Sequence, residues 1–170
     1  MEVLVSEFTQ LRGSARLRGG LLSRAADAEV LKSDPSSVIR LLADAEATGG
    51  VLTSHRSTLR DGNPGAPPHF HAHGDELFFV LEGRLRLLVG EEIVTLDEGD
   101  LLLVPPYMPH AFKPEAGHDA DFLCVFTPGT PRADYFRLLD RLHSGEASWE
   151  DVLQTQELYD NHHVQTDLWR

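Results

Sequence analysis

Cysteine is nearly absent from this chain of 170 residues, and long apolar runs are absent altogether. The single cysteine, Cys124, excludes an intrachain disulfide framework, and its place in the apolar run 122–126 predicts a buried thiol. No stretch approaches the roughly 18 apolar residues that a membrane-spanning helix needs. We expect no signal peptide, because acidic residues rather than an apolar core follow Met1. These absences favour the cytoplasm as the expected localisation.

Basic residues are scarce relative to acidic ones. The chain has 15 lysines and arginines against 27 aspartates and glutamates, which gives a formal net charge of −12. A surface of this sign repels nucleic-acid phosphates and anionic lipid headgroups. We therefore expect a small-molecule substrate, and neither a nucleic-acid partner nor a membrane partner.

Short apolar stretches separated by glycine and proline dominate the middle of the chain. Stretches typical of strands run over 38–42, 51–59, 76–81, 84–89, 92–96, 100–104, 110–113 and 121–126. The segment 61–68 is interpreted as a loop from its glycine and proline content. Many short strands with such punctuation predict an all-β sandwich or barrel.

The apolar period becomes helical after Pro131, which predicts two C-terminal α-helices packed against the barrel. Ser148 is the predicted N-cap of the second helix, with Asp151 in the capping-box position. We expect one domain in three parts. They are an N-terminal arm or strand (1–35), a β-barrel (36–128) and a C-terminal helical segment (129–170).

Three histidines and a glutamate have the spacing of a metal site formed by two strands. Residues i and i+2 of a strand share a face, so His69 and His71 would point the same way. Glu76 follows after a turn at Gly74, and His110 follows a proline-rich turn on a separate strand. Such turns hold the backbone stiffly where ligands must be positioned. Three imidazoles and a carboxylate suit one divalent transition metal ion, and Fe, Ni, Mn, Co, Cu and Zn all remain open.

The segment around the first three of these residues resembles the first motif of the cupin superfamily, G(X)5HXH(X)3,4E(X)6G. The residues that match it are His69, His71, Glu76 and Gly83. Asn63 stands where the motif has its leading glycine, with Gly62 and Gly65 nearby.

The segment 99–114 resembles the second cupin motif, G(X)5PXG(X)2H(X)3N. Gly99, Pro105 and His110 match it, whereas Tyr107 replaces the inner glycine and Pro114 replaces the asparagine. Glycine reaches positive φ at little cost and tyrosine does not. Either the turn before His110 differs from the family's, or Tyr107 accepts strain and projects towards the mouth of a pocket.

The resemblance implies a double-stranded β-helix, or jelly roll, with the metal inside the barrel. The phrase PPHFHAHGDELFFVLEG with a helical C-terminal segment is most similar to small single-domain, quercetin dioxygenase-like cupins. This similarity implies a metal-dependent dioxygenase that uses O2 on a small enol, phenol or flavonol-like substrate. Glu76 would be both a metal ligand and the catalytic base. Two alternatives stay open: a metal-dependent isomerase or cyclase that does not use O2, and a non-catalytic small-molecule-binding cupin.

Alternation along the strands also predicts which residues shape a substrate pocket beside the metal. The predicted pocket residues are His55, Phe78, Val80, Tyr107 and Phe112. By contrast, His162 and His163 lie in a polar stretch near the C terminus and are predicted to be surface residues.

A homodimer is the expected assembly. The run 77–81 is apolar at every position, so a strand there needs cover on both faces. The N-terminal segment has no core of its own, and a partner chain would cover both.

Overall fold

Two antiparallel β-sheets face each other in the computed structural model, which describes residues 14–17 and 20–169. Most strands are short: β1 (Ser14–Leu17), β2 (Gly20–Ser23), β3 (Glu29–Leu31), β4 (Ser37–Ala43), β5 (Thr53–Leu59), β6 (Ala66–Phe70), β7 (Asp75–Gly83), β8 (Leu85–Val89), β9 (Glu92–Leu96), β10 (Leu101–Val104), β11 (His110–Pro114), β12 (Ala120–Thr127) and β13 (His162–His163). The helices of the described residues are α1 (Ala45–Thr48), α2 (Arg132–Ser144), α3 (Trp149–Gln154) and α4 (Gln156–Tyr159).

The order of strands within the sheets departs repeatedly from chain order. One sheet has six strands in the order β10-β7-β12-β5-β4-β3, and the other has five in the order β13-β6-β11-β8-β9. β1 and β2 form a separate pair. Consecutive strands such as β6 and β7, or β10 and β11, lie in opposite sheets, so the chain winds around a common interior. This arrangement confirms the predicted all-β jelly roll with C-terminal helices.

The interior of the barrel is filled by alternate residues of its strands. β5 and β12 bury every second side chain, as a sheet with one covered face requires. The buried side chains come from both sheets and include Phe78, Val80, Leu85, Leu87, Phe122 and Cys124. Burial of one such apolar side chain stabilises the fold by about 1.5–3 kcal/mol. Cys124 is a buried free thiol, as predicted.

The helices pack against the outer strands of the six-stranded sheet through a second apolar cluster. Its buried members come from β3, β4, α2 and α3: Leu31, Leu41, Ala133, Tyr135, Phe136, Leu138 and Val152. Arg137 of α2 also donates to both carboxylate oxygens of Glu29 in β3, at 3.0 and 2.7 Å. α3 begins with the predicted capping box of Ser148 and Asp151. No helix among the described residues is long and apolar enough to cross a membrane.

The segment interpreted as a loop, 61–68, is partly a strand. β6 begins at Ala66 and includes Pro67 and Pro68. Proline has no N–H to donate to a sheet ladder, but β13 pairs only with His69 and Phe70, so the two prolines have no strand partner on that side. The register between β6 and β11 also shifts near these residues.

The two ends of the chain contain more regular structure than predicted. Among the described residues of the segment 1–35, β1 and β2 form an antiparallel pair and β3 joins the six-stranded sheet, where at most one strand was predicted; residues 1–13 of the predicted arm lie outside the described residues. The segment 129–170 forms three helices instead of two, followed by β13 at the edge of the five-stranded sheet. α1 was not predicted. It is a single turn capped by Asp44 and ended by Gly49 in the left-handed conformation.

Candidate metal centre

Four buried side chains converge inside the barrel. His69, His71, Glu76 and His110 each offer one ligand atom, and these atoms all lie within 4.8 Å of one another. The relative exposures of the four residues are 3%, 4%, 2% and 0%. The residues come from both sheets, because β7 carries Glu76 while β6 and β11 carry His69 and His110 opposite each other. All four predicted ligands are therefore brought together.

Each histidine ring is held by a backbone carbonyl. Nδ1 of His69 lies 2.8 Å from the carbonyl oxygen of Pro67, and Nδ1 of His110 lies 2.9 Å from that of Met108. Nδ1 of His71 meets the carbonyl oxygen of Asp160. A carbonyl oxygen only accepts, so each Nδ1 must carry the proton that it donates. In the neutral rings Nε2 is then an unprotonated acceptor, which is the form that ligates metal.

The inner atoms of the cluster would repel one another without a cation. Oε2 of Glu76 lies 3.0 Å from Nε2 of His71 and 2.8 Å from Nε2 of His110. A carboxylate oxygen and an unprotonated Nε2 are both acceptors, so a proton or a metal ion must lie between them. A buried set of one carboxylate and three imidazoles with fixed tautomers fits a divalent transition metal. The residues present therefore suit the metal that the fold implies.

Burial dominates the electrostatics of the four residues. It lowers the pKa of His69 well below its usual value, and the charges of His110 and His71 lower it further. Burial also lowers the pKa of His71. Burial by itself would raise the pKa of Glu76, but hydrogen bonds from His110 and His71 bring that pKa well below the usual value. Burial thus favours the neutral form of His69 and His71, and Glu76 is kept ionised; neutral imidazoles and an ionised carboxylate are the forms that bind metal.

Asp160 is a supporting residue that the sequence did not reveal. Besides the carbonyl bond to His71, its carboxylate accepts the backbone N–H groups of Ala72 and His73, at 2.7 and 3.0 Å. Asp160 is buried and takes the left-handed conformation, with φ of 50°. The C-terminal segment therefore holds both the ring of His71 and the loop that follows it. An aspartate at a helix C-terminus beside a polar stretch was the available signal.

A cavity of about 640 Å³ opens beside the cluster. His69 and Glu76 line it, together with strands β3 to β6 and β11 on the barrel side and α2 with the C-terminal segment on the other side. Much of the wall is apolar, including Leu31, Ile39, Leu59, Phe112, Tyr135, Phe136 and Leu139. The cavity is large enough for a small aromatic or conjugated molecule.

The predicted pocket residues are only partly found in the wall of this cavity. His55 and Phe112 line it. Phe78 and Val80 share the inward face of β7 with Glu76 but are packed in the barrel core, with exposures of 0% and 1%. Tyr107 is 66% exposed and does not line the cavity either. The inward face of β7 is shared by the cavity and the core, and alternation alone cannot say which of the two receives a given side chain.

Tyr107 takes the conformation that the family's glycine would take, with φ of 62°. Its backbone N–H donates to the carbonyl oxygen of His71 at 2.7 Å, which ties the turn before His110 to the other ligand strand. The Tyr107 ring lies on the outside, 5.9 Å from the ring of Phe70. Tyr107 therefore accepts a left-handed conformation that is strained for a side chain with a Cβ, and its ring does not reach the cavity.

Several polar residues of the cavity were missed or misplaced by sequence reasoning. His163, predicted to lie on the surface, lines the cavity beside Asn161 and Arg132. His162 is half-buried and stacks on Phe70, with ring centroids 4.9 Å apart. Pairing of β13 with β6 brings this stretch to the barrel, and a two-residue strand leaves no periodic signal in the sequence.

Comparisons with known proteins agree with this geometry. The fold and the cluster fit a β-barrel that binds a metal ion. The family model for the cupin domain matches residues 55–126, which include all four candidate ligands. The cupin-domain model thus matches the part of the chain that forms most of the barrel. No curated protein sequence matches the chain.

Solved structures with the same fold are distant in sequence. The chain is similar to the Fe(II) form of HppE, with 23% identity, a TM-score of 0.57, and coverage of 67% of this chain and 64% of that chain. It is similar to the polyketide cyclase RemF from Streptomyces resistomycificus, with 17% identity, a TM-score of 0.54, and coverage of 72% and 96%. It is also similar to an RmlC-like cupin from Shewanella frigidimarina, with 16% identity, a TM-score of 0.54, and coverage of 72% and 98%. These similarities show a shared fold.

Proposed function

We propose that this protein is a metal-dependent cupin enzyme, and that it is a dioxygenase acting on a small enol or phenol. The observation that carries the proposal is the cluster of three histidines whose Nδ1 atoms are bonded to carbonyls, with Nε2 of His71 and of His110 lying 3.0 and 2.8 Å from Oε2 of Glu76. The cluster lies at the wall of a largely apolar cavity. The candidate metal ligands therefore lie beside a cavity that is large enough for a small substrate.

His69, His71, Glu76 and His110 would hold the metal. When bound, a divalent metal of this kind supplies Lewis acidity, which favours the ionised form of an enol or phenol and orients its oxygen for reaction with O2. Glu76 is the nearest ionised carboxylate, and we propose that it accepts the substrate proton. The apolar wall excludes water and positions the carbon skeleton, and Phe112 and Phe136 are suited to contact an aromatic ring.

A second candidate uses the same metal without O2, as an isomerase or cyclase. The observation that favours it is His55, which is buried in the cavity wall and whose pKa is lowered to about 3 by burial. A neutral imidazole in the cavity can form a hydrogen bond with a substrate oxygen without adding a charge, which suits a rearrangement that the metal assists by Lewis acidity. The likeness to the polyketide cyclase is in accord with this candidate.

The first experiment is a metal analysis of freshly purified protein by plasma mass spectrometry. We expect close to one metal ion per chain, and its loss in a His69→Ala/His71→Ala variant. A His118→Ala variant, altered at an exposed histidine outside the cluster, serves as the matched control and should keep its metal. A parent protein that holds no metal and takes none up on reconstitution would contradict the proposal.

The second experiment separates the two candidates. Metal-loaded protein is offered a panel of enols, phenols and flavonols in an oxygen electrode, and product formation is compared in air and under strict anaerobiosis. Oxygen consumption that depends on substrate supports the dioxygenase. Equal product without oxygen selects the isomerase or cyclase. Binding without turnover under both conditions would indicate a non-catalytic binding protein.

A further inference from the structure

Arg132 is a buried cation that has no ion-pair partner among residues 14–17 and 20–169. It is 4% exposed, and its guanidinium lies against the rings of Phe126 and Tyr135, 4.4 and 4.6 Å from their centroids. Its polar contacts are to neutral groups: Nη1 donates to the carbonyl oxygen of Tyr159, and both Nη atoms donate to Oδ1 of Asn161. The Nε–H has no acceptor among the described residues.

Such an arrangement is unfavourable by itself. A buried charge is expensive unless it is paired, and aromatic rings offset only part of the desolvation. Other arginines of this acidic chain do have carboxylate partners: Arg56 pairs with Asp121, and Arg137 on the same helix as Arg132 pairs with Glu29. Arg132 differs from these two arginines because the described residues place no carboxylate at ion-pair distance from it, although the more distant charges of Glu76 and Asp160 act on it.

The position of Arg132 indicates where the anion would come from. Arg132 lines the same cavity as His69 and Glu76. A bound divalent metal, the Glu76 carboxylate and the Arg132 guanidinium together leave two net positive charges at the inner end of the cavity. The other charged residues of the wall are two of each sign, and they are Lys32, Asp34, Lys113 and Asp140. The metal-loaded cavity thus favours a negatively charged ligand with an apolar body.

We propose that Arg132 is the anion-binding residue of this cavity, and that the substrate is a small aromatic or conjugated acid whose carboxylate pairs with Arg132 while its enol or phenol oxygen reaches the metal. The part of this inference in which the substrate oxygen reaches the metal rests on the proposed function. A guanidinium is the side chain best matched to a planar carboxylate, because its N–H groups form a fixed fork. The unpartnered Nε–H is one donor that such a carboxylate would take up.

The test is a binding measurement that needs no turnover. The probes are 3- and 4-hydroxybenzoate and the corresponding hydroxybenzamides, which keep the ring and the phenol but lack the charge. In these isomers the two oxygen groups are too far apart to chelate one metal ion together. Each probe is titrated calorimetrically into zinc-loaded protein and into chelator-stripped protein. We expect the zinc-loaded protein to bind at least one acid about tenfold or more tightly than its amide.

The variants are Arg132→Gln, which removes the charge, Arg132→Lys, which keeps it, and Arg137→Gln as the matched control. Arg137 belongs to the same helix but does not line the cavity. We expect the acid-to-amide preference to vanish in Arg132→Gln, to persist in reduced form in Arg132→Lys, and to be unchanged in Arg137→Gln. If Arg132→Gln does not fold, Arg132→Lys decides alone. The pairing with a guanidinium is overturned if Arg132→Lys prefers acid to amide as strongly as the parent does for both the 3-hydroxy and the 4-hydroxy probes.

Other outcomes also decide the matter. Equal binding of acid and amide by the parent, or binding of neither, overturns the proposed substrate class. A preference that persists in folded Arg132→Gln and disappears on removal of zinc shows that the carboxylate binds the metal, which overturns the role of Arg132. A purely structural Arg132 would lower stability in both variants without changing the preference. Failure of the proposed function can be distinguished from failure of this inference. If protein stripped of metal still binds the acid more tightly than the amide, the Arg132 site is present even if the protein uses no metal.

Discussion

Replacement of His55 by glutamine should weaken the dependence of stability on pH. His55 is buried beside the rings of Phe136 and Phe126, with centroid distances of 4.2 and 6.1 Å, and the described residues give its ring no hydrogen-bond partner. Burial lowers its pKa to about 3, and the charge of Arg132 adds to this effect while that of Glu76 opposes it. The native protein therefore keeps His55 neutral throughout the mildly acidic range.

The direction in which the free energy of unfolding changes with pH follows from proton binding. Between pH values near 3 and 6.5 the unfolded chain protonates this histidine and the native state does not, so the free energy of unfolding falls as the pH falls. One pKa unit corresponds to about 1.4 kcal/mol, so lowering the pH from about 7.5 to about 5.5, one unit below the unfolded pKa, should remove about 1.4 kcal/mol through His55 alone. The sequence pI of about 5.0 makes lower pH values unsuitable, because the protein would lose its net charge.

The assay is urea unfolding of the chelator-treated parent and of His55→Gln at both pH values. The parent should lose about 1.4 kcal/mol more than the variant between them. His118→Gln, altered at an exposed histidine, is the control and should follow the parent. Parallel losses in the parent and in His55→Gln would refute the assignment of His55 as a buried neutral base.

Four further predictions test other features. Gly65→Ala should lower the free energy of unfolding by at least about 2 kcal/mol in urea titrations, because Gly65 has φ of +65° and an added Cβ would lie 1.8 Å from a carbonyl oxygen of β11. Asp160→Ala should weaken zinc binding about tenfold or more in chelator competition, and an unchanged affinity would contradict its supporting role. Tyr107→Gly should raise stability by up to about 1 kcal/mol, because it relieves a left-handed conformation; a loss of more than that amount would contradict the strain. Leu101 and Leu103 are 58% and 52% exposed on the edge strand β10, and we propose that they are covered in a homodimer, which light scattering would refute by giving the monomer mass of 18.9 kDa.

The metal ligands could be predicted from the sequence because their constraints are local. His69 and His71 are related by strand alternation, and Glu76 follows within one turn, so a short stretch of chain already fixes three of the four positions. His110 has only one prominent signal, the proline-rich turn before it, and the family motif supplied the rest. The strands of the barrel were found for the same reason, since alternation and turn residues act over a few positions.

The remaining parts of the site depend on contacts between distant parts of the chain. Arg132, Asp160 and His163 come from the C-terminal segment and reach the barrel only through α2 and β13. No periodic pattern marks such residues, and a polar stretch near the end of a chain is usually solvated. Phe78 shows the opposite difficulty, because its inward direction was predictable but its depth in the packed core was not.

The bond between His71 and the carbonyl of Asp160 joins residues that are 89 positions apart in the chain. During synthesis from the N terminus, all four ligands are therefore made long before the group that sets the tautomer of His71. The His71 ring is consequently held in its final orientation only once the segment around Asp160 has docked on the barrel. A chain shortened before residue 160 would keep all four candidate ligands but lose the carbonyl group that fixes the ring of His71.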